Sequence, residues 1–116
     1  MQKYKTKNFF ESIKHAFFGI CLMCKERNIK IYFGITILFV IFNILNKSSK
    51  IEWLIFAILC FAVYAAETMN TAIENIVDKL EPKENVYAKN AKDLGAATVL
   101  ICGIAFFICE GIILLL

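Results

Sequence analysis

The sequence predicts an all-α membrane protein, in which one amino-terminal amphipathic helix lies on the membrane surface and three further helices cross the bilayer. Hydrophobic residues make up 59% of the 116 positions, whereas soluble domains contain about 45–50%. The excess is concentrated in three long apolar blocks, and the basic residues lie before the first block, between the blocks and nowhere after Lys92. A single proline and five glycines leave long helices with few interruptions.

The first predicted element is an amphipathic helix over residues 8–24. Its apolar residues recur at spacings of three and four, which places them on one stripe. The stripe consists of Phe9, Ile13, Phe17, Ile20 and Cys24. Asn8, followed three residues later by Glu11, resembles a capping box at the start of this helix. A basic helix of this kind favours the membrane surface, and the very apolar blocks that follow disfavour the alternative, a helix packed on a soluble core.

Three membrane spans are predicted over residues 29–46, 52–78 and 91–116. No uninterrupted apolar run reaches the roughly 20 residues that identify a span by themselves, so each block alone is compatible with a buried helix of a soluble protein. Three such blocks in a chain of 116 residues, however, leave too little polar surface to solvate a globule. We therefore expect three spans in a single domain over residues 1–116, with the second helix ending near Pro82.

The distribution of basic residues predicts the orientation of the spans. The amino-terminal segment and the loop over residues 79–92 are lysine-rich and are expected to be cytoplasmic. The turn over residues 46–50 and the carboxyl terminus are then expected outside, with Trp53 as an interfacial anchor. Because no basic face remains on a soluble domain, nucleic acid is excluded as a partner.

The second span carries the strongest indication of a functional site. Asn70, Glu74 and Asp78 follow Glu67 by 3, 7 and 11 residues. The four side chains therefore fall within an arc of roughly 80° on one helix face. The path from Trp53 to Glu67 covers about 21 Å, which places Glu67 inside the hydrocarbon near its cytoplasmic side. An intramembrane carboxylate is costly and indicates function by default. The alternative, a helix contact or a solvated helix end, suits Asp78 better than Glu67.

Two further polar clusters are expected at the same depth, namely Glu26-Arg27-Asn28 and the group of Lys89, Lys92 and Asp93. Proteins hold Mg²⁺ with one or two carboxylates plus substrate phosphates, and lysines suit phosphate. This combination indicates phosphoryl transfer from a Mg-nucleotide to a group reachable from inside the bilayer. The glycine-rich nucleotide motifs are absent, so these residues alone leave open a non-enzymatic membrane subunit, such as a small proton- or cation-coupled transporter component.

Two sequence strings resemble the small prokaryotic diacylglycerol kinase/undecaprenol kinase family. They are E-x-x-N-x-A-I-E-x-x-V-D over residues 67–78 and A-K-D over residues 91–93. The resemblance covers nearly the whole chain, including residues 12–16 and 26–28. It implies a homotrimer in a bacterial cytoplasmic (inner) membrane, with interfacial active sites between subunits that face the cytoplasm. There the γ-phosphate of MgATP is transferred to the hydroxyl of a lipid alcohol.

The resemblance also implies roles on the lipid and metal side of the site. Glu67 resembles the general base that takes the proton of the lipid hydroxyl, and Asn70 resembles a positioning residue beside it. Glu26 and Glu74 resemble the Mg²⁺ ligands.

On the nucleotide side, Lys92 resembles the lysine that contacts phosphate, Asp93 an active-site polar partner and Asp78 a motif aspartate near the nucleotide. Family members often carry an arginine in the amino-terminal helix that helps to hold the nucleotide. This sequence has only lysines there, so Lys7 or Lys14 is expected to substitute.

The lipid substrate is left open between two branches of the family. Gram-positive members mostly phosphorylate undecaprenol, and Gram-negative members mostly phosphorylate diacylglycerol to phosphatidic acid. Residues 26–28, 51–53 and 70–75 resemble the first branch, whereas residues 92–97 resemble the second. Undecaprenol is therefore the expected substrate and diacylglycerol the alternative. Glu110 departs from the family pattern and is expected near the outer interface, paired across the trimer or protonated.

Overall fold

Four α-helices make up the described part of the chain, residues 8–80 and 83–116, in a computed structural model. In chain order they are α1 (Phe9–Cys24), α2 (Arg27–Leu45), α3 (Lys50–Leu80) and α4 (Val86–Leu115). The protein extends 54 Å along its longest axis and 20 Å along its shortest. Lys7, a predicted nucleotide contact, and Pro82, a predicted helix end, lie outside the described residues.

Helix α1 begins at the predicted cap. The side chain of Asn8 accepts a hydrogen bond from the backbone N–H of Glu11 at 2.9 Å, which satisfies one of the free donors of the first turn. No residue of α1 is buried. Phe10 and Phe18, outside the predicted stripe, are also exposed, so the apolar surface of α1 is broader than the stripe.

A tight turn reverses the chain between α2 and α3. Lys47 adopts a left-handed conformation (φ 55°), and the N–H of Ser48 donates to the carbonyl of Asn43 at 3.1 Å, as in the Schellman motif that ends many helices. Ser49 and Glu52 then form a reciprocal capping box at the start of α3, with bonds of 2.7 and 3.2 Å. The short polar segment is therefore an ordered helix–turn–helix connection.

Three helices, α2, α3 and α4, are long and apolar enough to cross a membrane, which confirms the predicted all-α membrane class. At most 17% of the most apolar window in each is buried, and lipid chains would solvate the remaining apolar surface. Helix α3 spans about 46 Å at 1.5 Å per residue, more than the roughly 30 Å of hydrocarbon. Its polar carboxyl-terminal turns therefore extend beyond the hydrocarbon.

Helix α4 begins at Val86, before the predicted span 91–116, because the side chain of Asn85 caps it by accepting from Ala88 N–H at 2.8 Å. Its first two turns carry lysines and an aspartate and continue the helix out of the apolar block. The polar residues before the third span are thus held on a helix.

The helices α2, α3 and α4 run antiparallel to their neighbours in sequence and meet around an aromatic centre. The ring of Phe106 lies 5.0 Å from that of Phe39 on α2 and 5.9 Å from that of Phe56 on α3. Helices α3 and α4 pack closely over most of their length, whereas α2 meets them through fewer side chains, at its two ends and at Phe33, Thr36 and Phe39. This arrangement leaves one buried polar cluster at each end of the bundle.

Candidate active site

Glu67 lies inside α3 with only 4% of its surface exposed. Its carboxylate accepts a hydrogen bond from the side-chain amide of Asn28, in the first turn of α2, at 3.3 Å. The amide of Asn28 is a neutral donor, so it holds the carboxylate without placing a positive charge beside it. The sequence predicted the depth of Glu67 but assigned no role to Asn28, although that residue stands in the E-R-N string that carried the family resemblance.

Asn70 is also buried, at 6% exposure, and its amide donates to Glu74 at 3.2 Å. Its other amide atom, Oδ1, is buried without a hydrogen-bond partner among the described residues. This oxygen faces Gly95 on α4, where a Cβ would lie 2.5 Å from it. Because glycine has no Cβ, the oxygen fits against α4 at this point. Gly95 thus permits the approach that holds Asn70, a role that the sequence did not reveal.

Two further carboxyl groups, those of Glu74 and Glu26, lie at the same end of the bundle and act electrostatically on Glu67. Glu26 is exposed immediately before α2, and Glu74 is half-buried on α3. Among residues 8–80 and 83–116, no set of three or more His, Cys, Asp or Glu side chains meets at metal-binding distance. Two carboxylates nevertheless match the ligand number that proteins use for Mg²⁺ when substrate phosphates complete its shell.

Lys92 connects α4 to the same end of α3. Its ammonium group donates to Asp78 at 2.8 Å and lies within electrostatic range of Glu74. Asp93 instead pairs with Lys89 at 2.6 Å on an exposed face. The structure therefore brings Lys92 and Asp78 together beside the carboxyl groups, whereas it does not join Asp93 to Glu67.

An open pocket of about 690 Å³ adjoins this ion pair between the end of α3 and the start of α4. Three lysines and three acidic residues line it. They are Lys83, Lys89, Lys92, Asp78, Glu84 and Asp93. Its volume is in the range of small-molecule sites, about 300–1,000 Å³.

Lys14 is exposed on α1. Within the part of the chain that the structure describes, no ion pair or hydrogen bond joins its side chain to the carboxyl groups. A single chain therefore does not bring Lys14 into the site.

The opposite end of the bundle holds a second buried polar cluster. Glu110 is fully buried, and the amide of Asn43 donates to its two carboxylate oxygens at 3.1 and 3.2 Å. The hydroxyl of Ser48 donates to Asn43 Oδ1 at 2.7 Å. Glu110 thus has a hydrogen-bond partner in its own chain, and this cluster lies at the opposite end of the bundle from Glu67.

The sequence model of the family described as prokaryotic diacylglycerol kinase matches residues 14–114 of the chain. The chain belongs to this family. It is therefore a membrane lipid kinase, and both the Glu67 end and the Glu110 end of its bundle lie within the matched region.

Two curated proteins illustrate the similarity of this kinase to its relatives. Undecaprenol kinase of Bacillus subtilis (strain 168) is 35% identical over 98 residues, which cover 84% of this chain and 80% of that protein. Diacylglycerol kinase of a Sinorhizobium species is 45% identical over 49 residues, which cover 42% of this chain and 36% of that protein. No solved structure gives a significant match.

Proposed function

We propose that this kinase transfers the γ-phosphate of ATP to undecaprenol at the cytoplasmic face of a bacterial cytoplasmic membrane. The supporting observation is a carboxylate, Glu67, that is buried within a membrane span, bonded to Asn28 and flanked by two further carboxyl groups. A soluble nucleophile would not need a base at this depth, whereas a lipid hydroxyl at the edge of the hydrocarbon does.

In the proposed reaction, Glu67 accepts the proton of the lipid hydroxyl as its oxygen attacks the γ-phosphorus. The bond between the γ-phosphorus and the bridging oxygen breaks, and ADP leaves in line with the incoming oxygen. Asn28 holds the carboxylate in place, and its neutral amide adds no charge that would weaken the base. Asn70 orients Glu74 by the bond at 3.2 Å.

The carboxylates of Glu26 and Glu74 would hold Mg²⁺, which supplies charge neutralisation to the triphosphate. The oxygen-only donor set fits a hard cation. Lys92 would exchange its partner Asp78 for a phosphate oxygen when nucleotide enters the adjoining pocket, and Asp93 would keep Lys89 in place beside it. At Lys92, one charge-assisted hydrogen bond would thus be replaced by another.

A homotrimer would complete the site. Lys14 is exposed and away from the carboxyl groups in one chain, so a second copy would have to present it to the nucleotide. The exposed aromatic residues of α1 favour a position in the membrane interface, where their rings would be buried beside lipid headgroups. The lysines of the amino-terminal segment and of the α3–α4 loop support a cytoplasmic position for this end of the bundle.

Diacylglycerol remains the second candidate substrate. The match to the diacylglycerol kinase has the higher identity but covers only 49 residues. The match to the undecaprenol kinase covers 98 residues. Both lipids offer a primary hydroxyl at headgroup depth. Competition between them in one mixed micelle, at equal surface fraction, measures the ratio of their kcat/KM values, and a ratio that favours diacylglycerol contradicts the proposed substrate.

The decisive experiment compares Glu67→Gln with Glu110→Gln in the purified protein supplied with MgATP and a panel of lipid alcohols. The two glutamates form a matched pair, because each is buried in a span and bonded to an asparagine of α2. Loss of a general base lowers the rate by about 10²–10⁴-fold. We therefore expect Glu67→Gln to lower the rate of lipid phosphorylation by this factor and Glu110→Gln to leave the rate unchanged. Equal activity of the two variants would exclude Glu67 as the base. Absence of phosphoryl transfer by the unaltered protein would support a non-enzymatic subunit instead.

A further inference from the structure

Two free thiols lie on the last turn of α1, in the sequence Cys21-Leu22-Met23-Cys24. We call them the α1 thiol pair. Residues three positions apart on an α-helix are neighbours on its surface. Cys21 is exposed and lies beside the predicted apolar stripe of α1 rather than on it, whereas Cys24 is half-buried. The proposed phosphoryl transfer uses neither residue.

The geometry of an α-helix permits a disulfide between these thiols only if the last turn changes shape. Helical coordinates place the two Cα atoms about 5 Å apart, which lies within the range of roughly 4.4–6.8 Å found in disulfides. Cβ atoms three residues apart are separated by about 5–6 Å, however, whereas a disulfide requires about 3.5–4.5 Å. Closing the bond therefore has to rewind the turn between Cys21 and Cys24.

This turn is the part of α1 in which the regular helical pattern already ends. The N–H of Lys25 donates to the carbonyl of Leu22 at 3.2 Å. The N–H of Glu26 donates to the carbonyl of Met23 at 3.0 Å. Both bonds reach back three residues instead of four, as in the tightened turns that end many helices. A change of shape here disturbs fewer helical hydrogen bonds than a change inside α1.

The same turn is connected to the candidate active site in two ways. The thioether of Met23, between the two thiols, accepts a hydrogen bond at 2.6 Å from the hydroxyl of Thr68, the residue after Glu67 in α3. Glu26, a proposed Mg²⁺ ligand, follows Cys24 by two residues and is bonded through its backbone to Met23. Rewinding the turn therefore moves Met23 against α3 and shifts Glu26 relative to Glu67.

We propose that the α1 thiol pair is a redox-sensitive modification site, at which an intramolecular disulfide lowers the rate of lipid phosphorylation. The effect on the rate rests on the proposed role of Glu26 as a Mg²⁺ ligand. The oxidant is a low-molecular-weight organic disulfide, and cytosolic disulfides are typically transient and redox-sensing.

The modification proceeds by two exchanges of a thiol with a disulfide. The exposed sulfur of Cys21 attacks one sulfur of the organic disulfide, so that a mixed disulfide forms and one small thiol leaves. The sulfur of Cys24 then attacks that of Cys21, which forms the intramolecular bond and releases the second small thiol. Two cysteine thiols are thereby oxidised, one organic disulfide is reduced, and the two cysteine protons pass to the departing sulfurs.

Oxidised glutathione tests this site in the purified full-length kinase, supplied with MgATP and lipid alcohol in mixed micelles. Tryptic peptide 15–25 contains both thiols and no other cysteine, so loss of two hydrogens from its mass reports the disulfide. Oxidation is expected to lower kcat at least about 10-fold and up to about 100-fold, as for displacement of a site group by about 1 Å. The Mg²⁺ concentration for half-maximal activity should rise, and dithiothreitol should reverse both effects.

Serine variants of the pair provide the controls. Cys21→Ser and Cys24→Ser should each keep the activity of the reduced protein and lose the response to oxidised glutathione, because either removes one end of the bond. Cys102→Ser removes a half-buried thiol from α4 and should respond like the unaltered protein. If a serine variant does not fold, the alanine variant at the same position carries the same expectation.

A peptide 15–25 that stays reduced, or that carries only a glutathione adduct, would overturn the inference. So would a disulfide that leaves kcat and the Mg²⁺ titration unchanged, or equal inactivation of Cys24→Ser. Absence of lipid phosphorylation by the reduced protein would refute the proposed function itself, whereas normal phosphorylation that oxidation does not alter refutes only this inference.

Discussion

Replacing Gly95 by alanine tests whether the candidate site depends on the close approach of α3 and α4. A Cβ at this position lies 2.5 Å from Asn70 Oδ1, which is 0.9 Å short of the 3.4 Å at which ordinary contact begins. The next nearest atoms, Asn70 Cγ and Ile73 Cδ1, are both at 3.5 Å. Only the amide oxygen of Asn70 therefore has to move.

The simplest way to make this room is a rotation of the Asn70 side chain. That rotation breaks its hydrogen bond to Glu74, a loss of about 0.5–1.5 kcal/mol. Alanine in place of glycine within a helix gains up to about 1 kcal/mol. Because these two effects nearly cancel, we expect the melting temperature of Gly95→Ala to remain close to that of the unaltered protein. Activity should respond differently, since a shift of about 1 Å in a positioning group lowers turnover by up to about 100-fold.

The assay pairs kcat for lipid phosphorylation with thermal unfolding in detergent, for Gly95→Ala and for Gly111→Ala. The second variant has the same gain in helix propensity, but its methyl group meets nothing within 4 Å. Wild-type kcat in Gly95→Ala would refute the positioning role of Asn70. A lower melting temperature with intact kcat would equally contradict it, because the strain would then be relieved by movement of α4 without effect on the site.

Three further predictions concern metal binding, topology and the remote polar cluster. Glu26→Gln and Glu74→Gln should each raise the Mg²⁺ concentration for half-maximal activity. Their effects should be non-additive in the double variant because both residues act on one ion. Unchanged Mg²⁺ titrations would contradict the assignment of these residues as ligands. In a thiol-free background, Lys50→Cys should react with an impermeant reagent outside intact cells and Lys79→Cys only after permeabilisation, and the reverse pattern would place the site on the side that lacks ATP. Glu110→Leu should lower the free energy of unfolding by about 1 kcal/mol, since interhelical hydrogen bonds in membranes contribute up to about 1.7 kcal/mol. Glu110→Gln keeps an acceptor for the Asn43 amide and should leave the free energy of unfolding nearly unchanged. Equal stability of the two variants would contradict this role of Glu110.

The sequence by itself determined the existence of the helices, the cap of the first and the membrane class. Asn8 caps α1 as its spacing to Glu11 predicted, and three apolar blocks became three candidate spans. These features depend on hydrophobicity, periodicity and short-range hydrogen bonds, which are properties of neighbouring residues. The family was also evident from local strings, because residues 67–78 and 91–93 carry its motif within single helices.

Only the tertiary structure decided which side chains meet across the bundle. Helical spacing predicted the face and the depth of Glu67, but not that Asn28, 39 residues earlier, would bind it. Likewise, Glu110 was expected near the outer interface, but its partner Asn43 lies 67 residues away in sequence. A periodic pattern fixes the face of one helix, whereas its neighbour, rotation and register depend on packing with the other helices. Gly95 shows this most directly, since the absence of a single Cβ lets α4 approach Asn70.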